Sequence, residues 1–119
     1  MNSIEEIKDI IKYSTGTEAY HKFSPIEGFP VITDGVFKVA EAAECYWLLD
    51  LIGSYQINPN LDPEFQVWKL KVCEDQTATA SGYNDLDLII EQKIEYTDFP
   101  LDSFEVYLVR GVILLPGEY

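Results

Sequence analysis

Few side chains in this sequence could do chemistry, and they are scattered. His21 is the single histidine, Cys45 and Cys73 are the two thiols, and Arg110 is the single arginine among 119 residues. A Ser-His-Asp or Cys-His site would have to use His21, which has no catalytic motif around it, and neither G-x-S-x-G nor G-x-x-x-x-G-K-[ST] occurs. One histidine cannot build a two-histidine metal site, and two separated cysteines make no C-x-x-C pair. The stretch DLDLII lacks the acidic spacing and central glycine of a calcium loop. These absences argue against the commonest enzyme classes, so no catalytic residue, metal ligand or cofactor is assigned.

Three arrangements of charge remain. Glu91-Gln92-Lys93 has the Glu-x-Lys step that metal-dependent nucleases use on a strand, with Asp85 or Asp75 to supply a second carboxylate. Such steps are frequent by chance, and a strongly anionic chain approaches DNA poorly, so a solvated strand face is the stronger reading. Asp87, Glu91 and Glu95 could instead form an acidic ridge for a basic partner, because Lys93 and Arg110 are the only cations after residue 72. Asp50 sits inside ECYWLLDLIGSY (Glu44 to Tyr55), where an ionised carboxylate would be costly unless paired. Arg110 is its candidate partner, a structural polar tie between helix and sheet. The simpler alternative leaves Asp50 at a helix edge, reaching solvent.

Charge sets the outer limits. The chain carries 21 acidic and 8 basic residues, a net charge of −13 and a sequence pI near 4.2. That field disfavours direct contact with nucleic acid or an anionic membrane and favours a basic protein surface, although solubility alone would also account for it. With 47% apolar residues and many aromatics there is material for a core, and the length suits one α+β domain over residues 1–119. Acidic residues near the N-terminus do not fit a signal peptide, and the two cysteines do not form a disulfide framework. The cytoplasm is therefore the expected location.

The elements that must position these groups read as helices first, strands afterwards. Ser3 and Glu6 form a capping box for a helix over about residues 3–13, with Ile4, Ile7, Ile10 and Ile11 on one face. Residues 14–35 are irregular, although Thr17 to Lys22 could make a helical turn. Thr33 or Asp34 caps a long helix over about 35–53, whose second half should be buried almost all round. EFQVWKLKV alternates, with Gln66, Trp68, Leu70 and Val72 facing the core and Phe65, Val67, Lys69 and Lys71 opposite. TATASGY reads as a weak strand with an exposed edge that could pair a dimer. LDLIIEQKIEYT puts Leu86, Leu88, Ile90, Ile94 and Tyr96 on one face, and Asp87, Glu91, Lys93 and Glu95 on the other. SFEVYLVRGVILL is a last strand with a bulge at Gly111. The expectation is an α+β fold, N-terminal helices packed on three or four antiparallel strands.

Five blocks in order, TDG, YWLLDLIGS, FQVWKLKV, YTDFPL and ILLPGEY, together with STGTE (Ser14–Glu18), resemble a small domain-of-unknown-function family of bacterial, plasmid and phage genomes. Its relatives tend to end in LLPSEY, where Gly117 stands here. The resemblance implies the same fold and brings no reaction. It draws attention to the Thr97–Leu101 corner, where Asp98 could cap the turn while Phe99 and Leu101 plug the core. Asp34, Trp68 and Asp98 are then candidates for a pocket, or simply for the corners of the fold. The functional expectation is a small acidic interaction protein, inhibitory and carried by mobile elements in its sharpest form. The rival is a small-molecule-binding or hydrolytic domain using Asp50, Asp98 and the aromatic cluster.

Overall fold

The computed structural model describes residues 4–14 and 19–119. The Ser3 half of the capping box, and Thr17 and Glu18 of the proposed helical turn, lie outside them. Among the described residues the fold is α+β, with three helices and a seven-stranded mixed sheet. The helices are α1 (Ile4–Tyr13), α2 (Asp34–Ala43) and α3 (Tyr46–Ser54). The strands are β1 (Tyr20–Lys22), β2 (Val31–Thr33), β3 (Gln66–Val72), β4 (Ala78–Asn84), β5 (Asp87–Ile94), β6 (Ser103–Val109) and β7 (Val112–Leu114). Their spatial order is β1-β2-β7-β6-β3-β4-β5, with β2 and β7 parallel and the other neighbours antiparallel.

The expected three or four strands is therefore an undercount. β1, β2 and β7 have three residues each, too few for a period of two to stand out. β1 occupies ground where a helical turn was expected. β4, expected to expose an edge, lies between β3 and β5, so the edge strands among the described residues are β5 and, at the other end, β1.

The proposed long helix is two. Glu44 adopts the left-handed conformation (φ 53°) and its N–H donates to the Ala40 carbonyl, closing α2 before α3 begins. Both helices lie over one face of the sheet. Val36, Val39 and Ala40 from α2, and Leu48, Leu49 and Ile52 from α3, pack on Trp68, Leu70, Val106, Leu108 and Ile113. Ile7 of α1 is fully buried in the same cluster.

The small residues of β4 now make physical sense. Ala78, Ala80 and Gly82 point to the helix side, and a Cβ added at Gly82 would lie 2.7 Å from the Trp68 ring. The indole needs that space. Its Nε1–H donates to Gln66 Oε1 at 2.9 Å, and Gln66, fully buried, exchanges two amide hydrogen bonds with Gln56 at 2.8 and 3.0 Å. A glutamine on a core face is tolerable because its amide is paired on every side.

The last strand is a hairpin. Arg110 (φ 47°) and Gly111 (φ 82°) are its two-residue loop, the backbone that a tight turn between right-twisted strands requires. Gly111 is a turn residue, and no bulge interrupts β6 there.

Candidate functional site

Two regions gather polar side chains, and they behave differently. The first is the N-terminus of α2. Thr33 caps it, its Oγ1 accepting from Val36 N–H at 3.3 Å and donating to Glu118 Oε1 at 2.6 Å. The Glu118 carboxylate also accepts from the backbone N–H of Gly35 (3.2 Å) and of Leu115 (3.0 Å). A carboxylate at a helix N-terminus satisfies amides that the helix cannot, and meets the favourable end of its dipole. Gly35 leaves room for this approach, since a Cβ there would fall 2.7 Å from Glu118 Oε1. Beside this lock, His21 Nε2 lies 2.7 Å from Asp34 Oδ1 while the imidazole stacks on Phe37 at 4.6 Å. Every group named here is engaged within the protomer, so the cluster closes the fold. The contact joins Thr33 and Gly35 at the start of α2 to Glu118 near the C-terminus.

The second region is the sheet face away from the helices. Strand register places Lys22, Lys69, Lys71 and Lys93 on it, against Glu91 and Glu105. Four of the chain's 8 cations thus share one face of a molecule of net charge −13. Phe65, Tyr107 and Tyr119 make an aromatic trio here, with centroids 5.2 to 5.6 Å apart. Lys69 Nζ sits 5.2 Å from the Tyr83 ring. β7 pairs only with Tyr107–Val109 of β6, so Ser103–Glu105 have no strand on that side. A groove of about 860 Å³ opens there, with Lys69, Lys71, Asp102, Glu105 and Gly117 in its walls.

The expected sites are rearranged. β5 carries a bulge: Gly82 pairs with Ile90 and Tyr83 with Leu88, leaving Ile89 extra. The extra residue reverses the alternation, so Asp87 falls on the helix-side face with Asn84, while Leu88 joins Glu91 and Lys93 on the open face. Glu95 follows the strand's end. Asp87, Glu91 and Glu95 therefore do not form one ridge. The Glu91–Lys93 step lies beside Ser81 and Thr79, and no group of three or more metal-capable side chains occurs among the described residues.

The proposed Asp50–Arg110 tie is also absent. Asp50 is exposed on α3, opposite the buried Leu48, Leu49 and Ile52. Arg110 is an exposed turn residue whose backbone N–H donates to the Pro63 carbonyl. α3 is one-sided rather than buried all round, which removes the need for a counterion. Asp34, Trp68 and Asp98 do not share a pocket. Asp34 follows β2, Trp68 is 2% exposed on β3, three strand spacings or about 14 Å across the sheet, and Asp98 is exposed in the β5–β6 loop. At that corner Thr97, not Asp98, does the capping: its Oγ1 accepts from Phe99 N–H at 3.1 Å, and Phe99 plugs the core against Phe104.

The thiols differ in the same inside-and-out way. Cys45 is 1% exposed, and burial pushes its pKa up to about 12; Cys73 is exposed. Glu118, Gln66 and the open-face lysines were not anticipated as a set. Lys69 and Lys71 had a signal in their shared alternation, whereas nothing local to Glu118 tied it to Thr33.

Helices on one face of a mixed seven-stranded sheet, with the Phe65–Tyr107–Tyr119 trio and no long helix on the other face among the described residues, define a two-layer α+β domain. The chain belongs to the family of unknown function DUF6876, which matches residues 5–119. Neither the curated proteins nor the solved structures compared with it gave a match. No described helix is long and apolar enough to cross a membrane.

Proposed function

We propose that this protein is an interaction module that docks a partner protein on the open face of its sheet and carries out no reaction of its own. One observation carries this reading: a sheet face with an aromatic trio, and lysines that have no ion-pair partner among the described residues, on a molecule otherwise dominated by carboxylates. Aromatic side chains ringed by charge are the usual substance of a protein contact. The −13 field draws in a basic partner from a distance and repels nucleic acid. Carboxylates on the partner opposite Lys69 and Lys71 would then fix its orientation. Inhibition, by covering a working surface of that partner, is the sharper form of the same reading.

The test compares capture by the wild type with capture by Lys69→Glu/Tyr107→Ala and by Glu41→Lys on α2. Loss with the first variant, retention with the second, and weakening with salt support the proposal. Capture insensitive to the sheet-face variant overturns it.

The groove beside Ser103–Glu105 supports a second reading, a small-molecule site. Its mark would be ligand-dependent thermal stabilisation with little dependence on salt.

A further inference from the structure

β5 closes one end of the sheet, and its outer edge has no strand partner among the described residues. We infer that this edge pairs with β5 of a second copy, antiparallel, in the register that sets Glu91 opposite Lys93 of the partner subunit and joins the two sheets into one.

The register follows from the ladder. Val109 and Val112 flank a two-residue hairpin and bond to each other, so alternation turns Leu108, Val106 and Phe104 toward β3. The Val72 N–H to Asp102 carbonyl bond (2.8 Å) continues that series. Carrying the alternation through β3 and β4 turns Ile90, Gln92 and Ile94 toward β4. The backbone N–H and C=O groups of Glu91 and Lys93 therefore point outward, unpaired.

Such edges are usually defended with charge or a bulge. β5 has both, but the bulge at Ile89 lies toward one end, leaving Ile90–Ile94 regular. The charges are of opposite sign two residues apart. About a two-fold axis through Gln92, each Glu91 faces a lysine and each Lys93 a glutamate, two favourable cross-strand pairs where a like-charged edge would repel. On the other face Ile90 meets Ile94, which is half-buried in the protomer. Gln92 lies on the axis, its Oε1 held by the Tyr55 hydroxyl at 2.5 Å. This pairing uses the edge, and the docking face proposed above uses β3 and β6, so each stands without the other.

Light scattering on the intact chain over a concentration series tests it. The wild type should show twice the 13.6 kDa mass, in a concentration-dependent equilibrium. Glu91→Lys sets lysine against lysine and should weaken association about tenfold or more, roughly 1.4 kcal/mol. Adding Lys93→Glu to Glu91→Lys restores opposite charges and should restore the dimer. Lys93→Pro removes an outward N–H without touching the β4 ladder, and should give a folded monomer that still unfolds cooperatively. A wild type that stays monomeric throughout, or a dimer indifferent to the charge reversal, overturns the proposal.

Discussion

The two faces of the sheet put the same kinds of side chain to opposite uses. On the helix side, and at the N-terminus of α2 where β2 ends, polar groups are consumed: the Gln66 amide bonds Gln56 and Trp68, and the Glu118 carboxylate bonds Thr33, Gly35 and Leu115. On the open side, Lys69, Lys71 and Lys93 have no ion-pair partner among the described residues. A buried polar group left unsatisfied costs far more than a solvated one, so the helix side must resolve its polarity internally. The open side is under no such constraint. What separates the two is whether the protomer itself uses the group.

The sharpest way to break this comparison is at Glu118. Glu118→Ala should strand the Gly35 and Leu115 N–H groups and the Thr33 hydroxyl, lowering stability by about 2–3 kcal/mol. Lys69→Ala with Lys71→Ala should move stability by no more than about 0.5 kcal/mol. Urea denaturation of the two variants should show midpoints far apart. Equal midpoints would mean that the two faces are not energetically distinct.

Gly82 probes the helix side from below. Gly82→Ala puts a methyl 2.7 Å from the Trp68 indole, and the paired Gln66–Gln56 amides keep that ring from retreating. Overpacking of this kind should cost about 1–3 kcal/mol. Near-ultraviolet circular dichroism should change as the indole shifts. Ser81→Ala, one residue away on the open face, should do neither.

Much of this was legible along the chain, for reasons that differ by element. β3 announced both its faces because seven residues of alternation, with lysines on one side only, leave no other assignment. The helix break at Glu44 carried no glycine or proline, and a glutamate in the left-handed region gives no local sign of itself. The β5 bulge is invisible for a related reason: LDLIIEQKI reads as continuous alternation, and only pairing with Gly82 and Tyr83 shows Ile89 to be extra. The Glu118 lock joins residues 85 apart in sequence, and its local trace was a threonine suited to cap a helix.

Cys45 sharpens the comparison through pH. Its pKa rises from 9.0 to about 12 on folding because burial penalises the thiolate. Between those values the unfolded chain has lost a proton that the native chain keeps, so stability falls as pH rises. The slope should approach, at most, about 1.4 kcal/mol per pH unit. Tyr46 is also raised to about 12, by partial burial and then by the hydrogen bond to Glu41, and acts in the same direction. Chemical denaturation of Cys45→Ala from pH 8 upward should give a flatter profile than the wild type. Alkylation at neutral pH should label the exposed Cys73 and spare Cys45 until the protein unfolds.

The smallest effect decides a question of sign. Arg110 occupies a left-handed turn position that asparagine tolerates better, followed by the glycine that such a turn favours. Arg110→Asn should therefore stabilise the β6–β7 hairpin slightly, by about 0.5 kcal/mol. Were Arg110 the buried counterion of Asp50, the same substitution would abandon a charge in the core and cost about 3–5 kcal/mol. Thermal unfolding distinguishes a small rise in midpoint from a large fall. Asp50→Asn should be nearly silent, because its carboxylate faces water from the outer side of α3. A lone acid among apolar neighbours in sequence is then a helix showing its wet side.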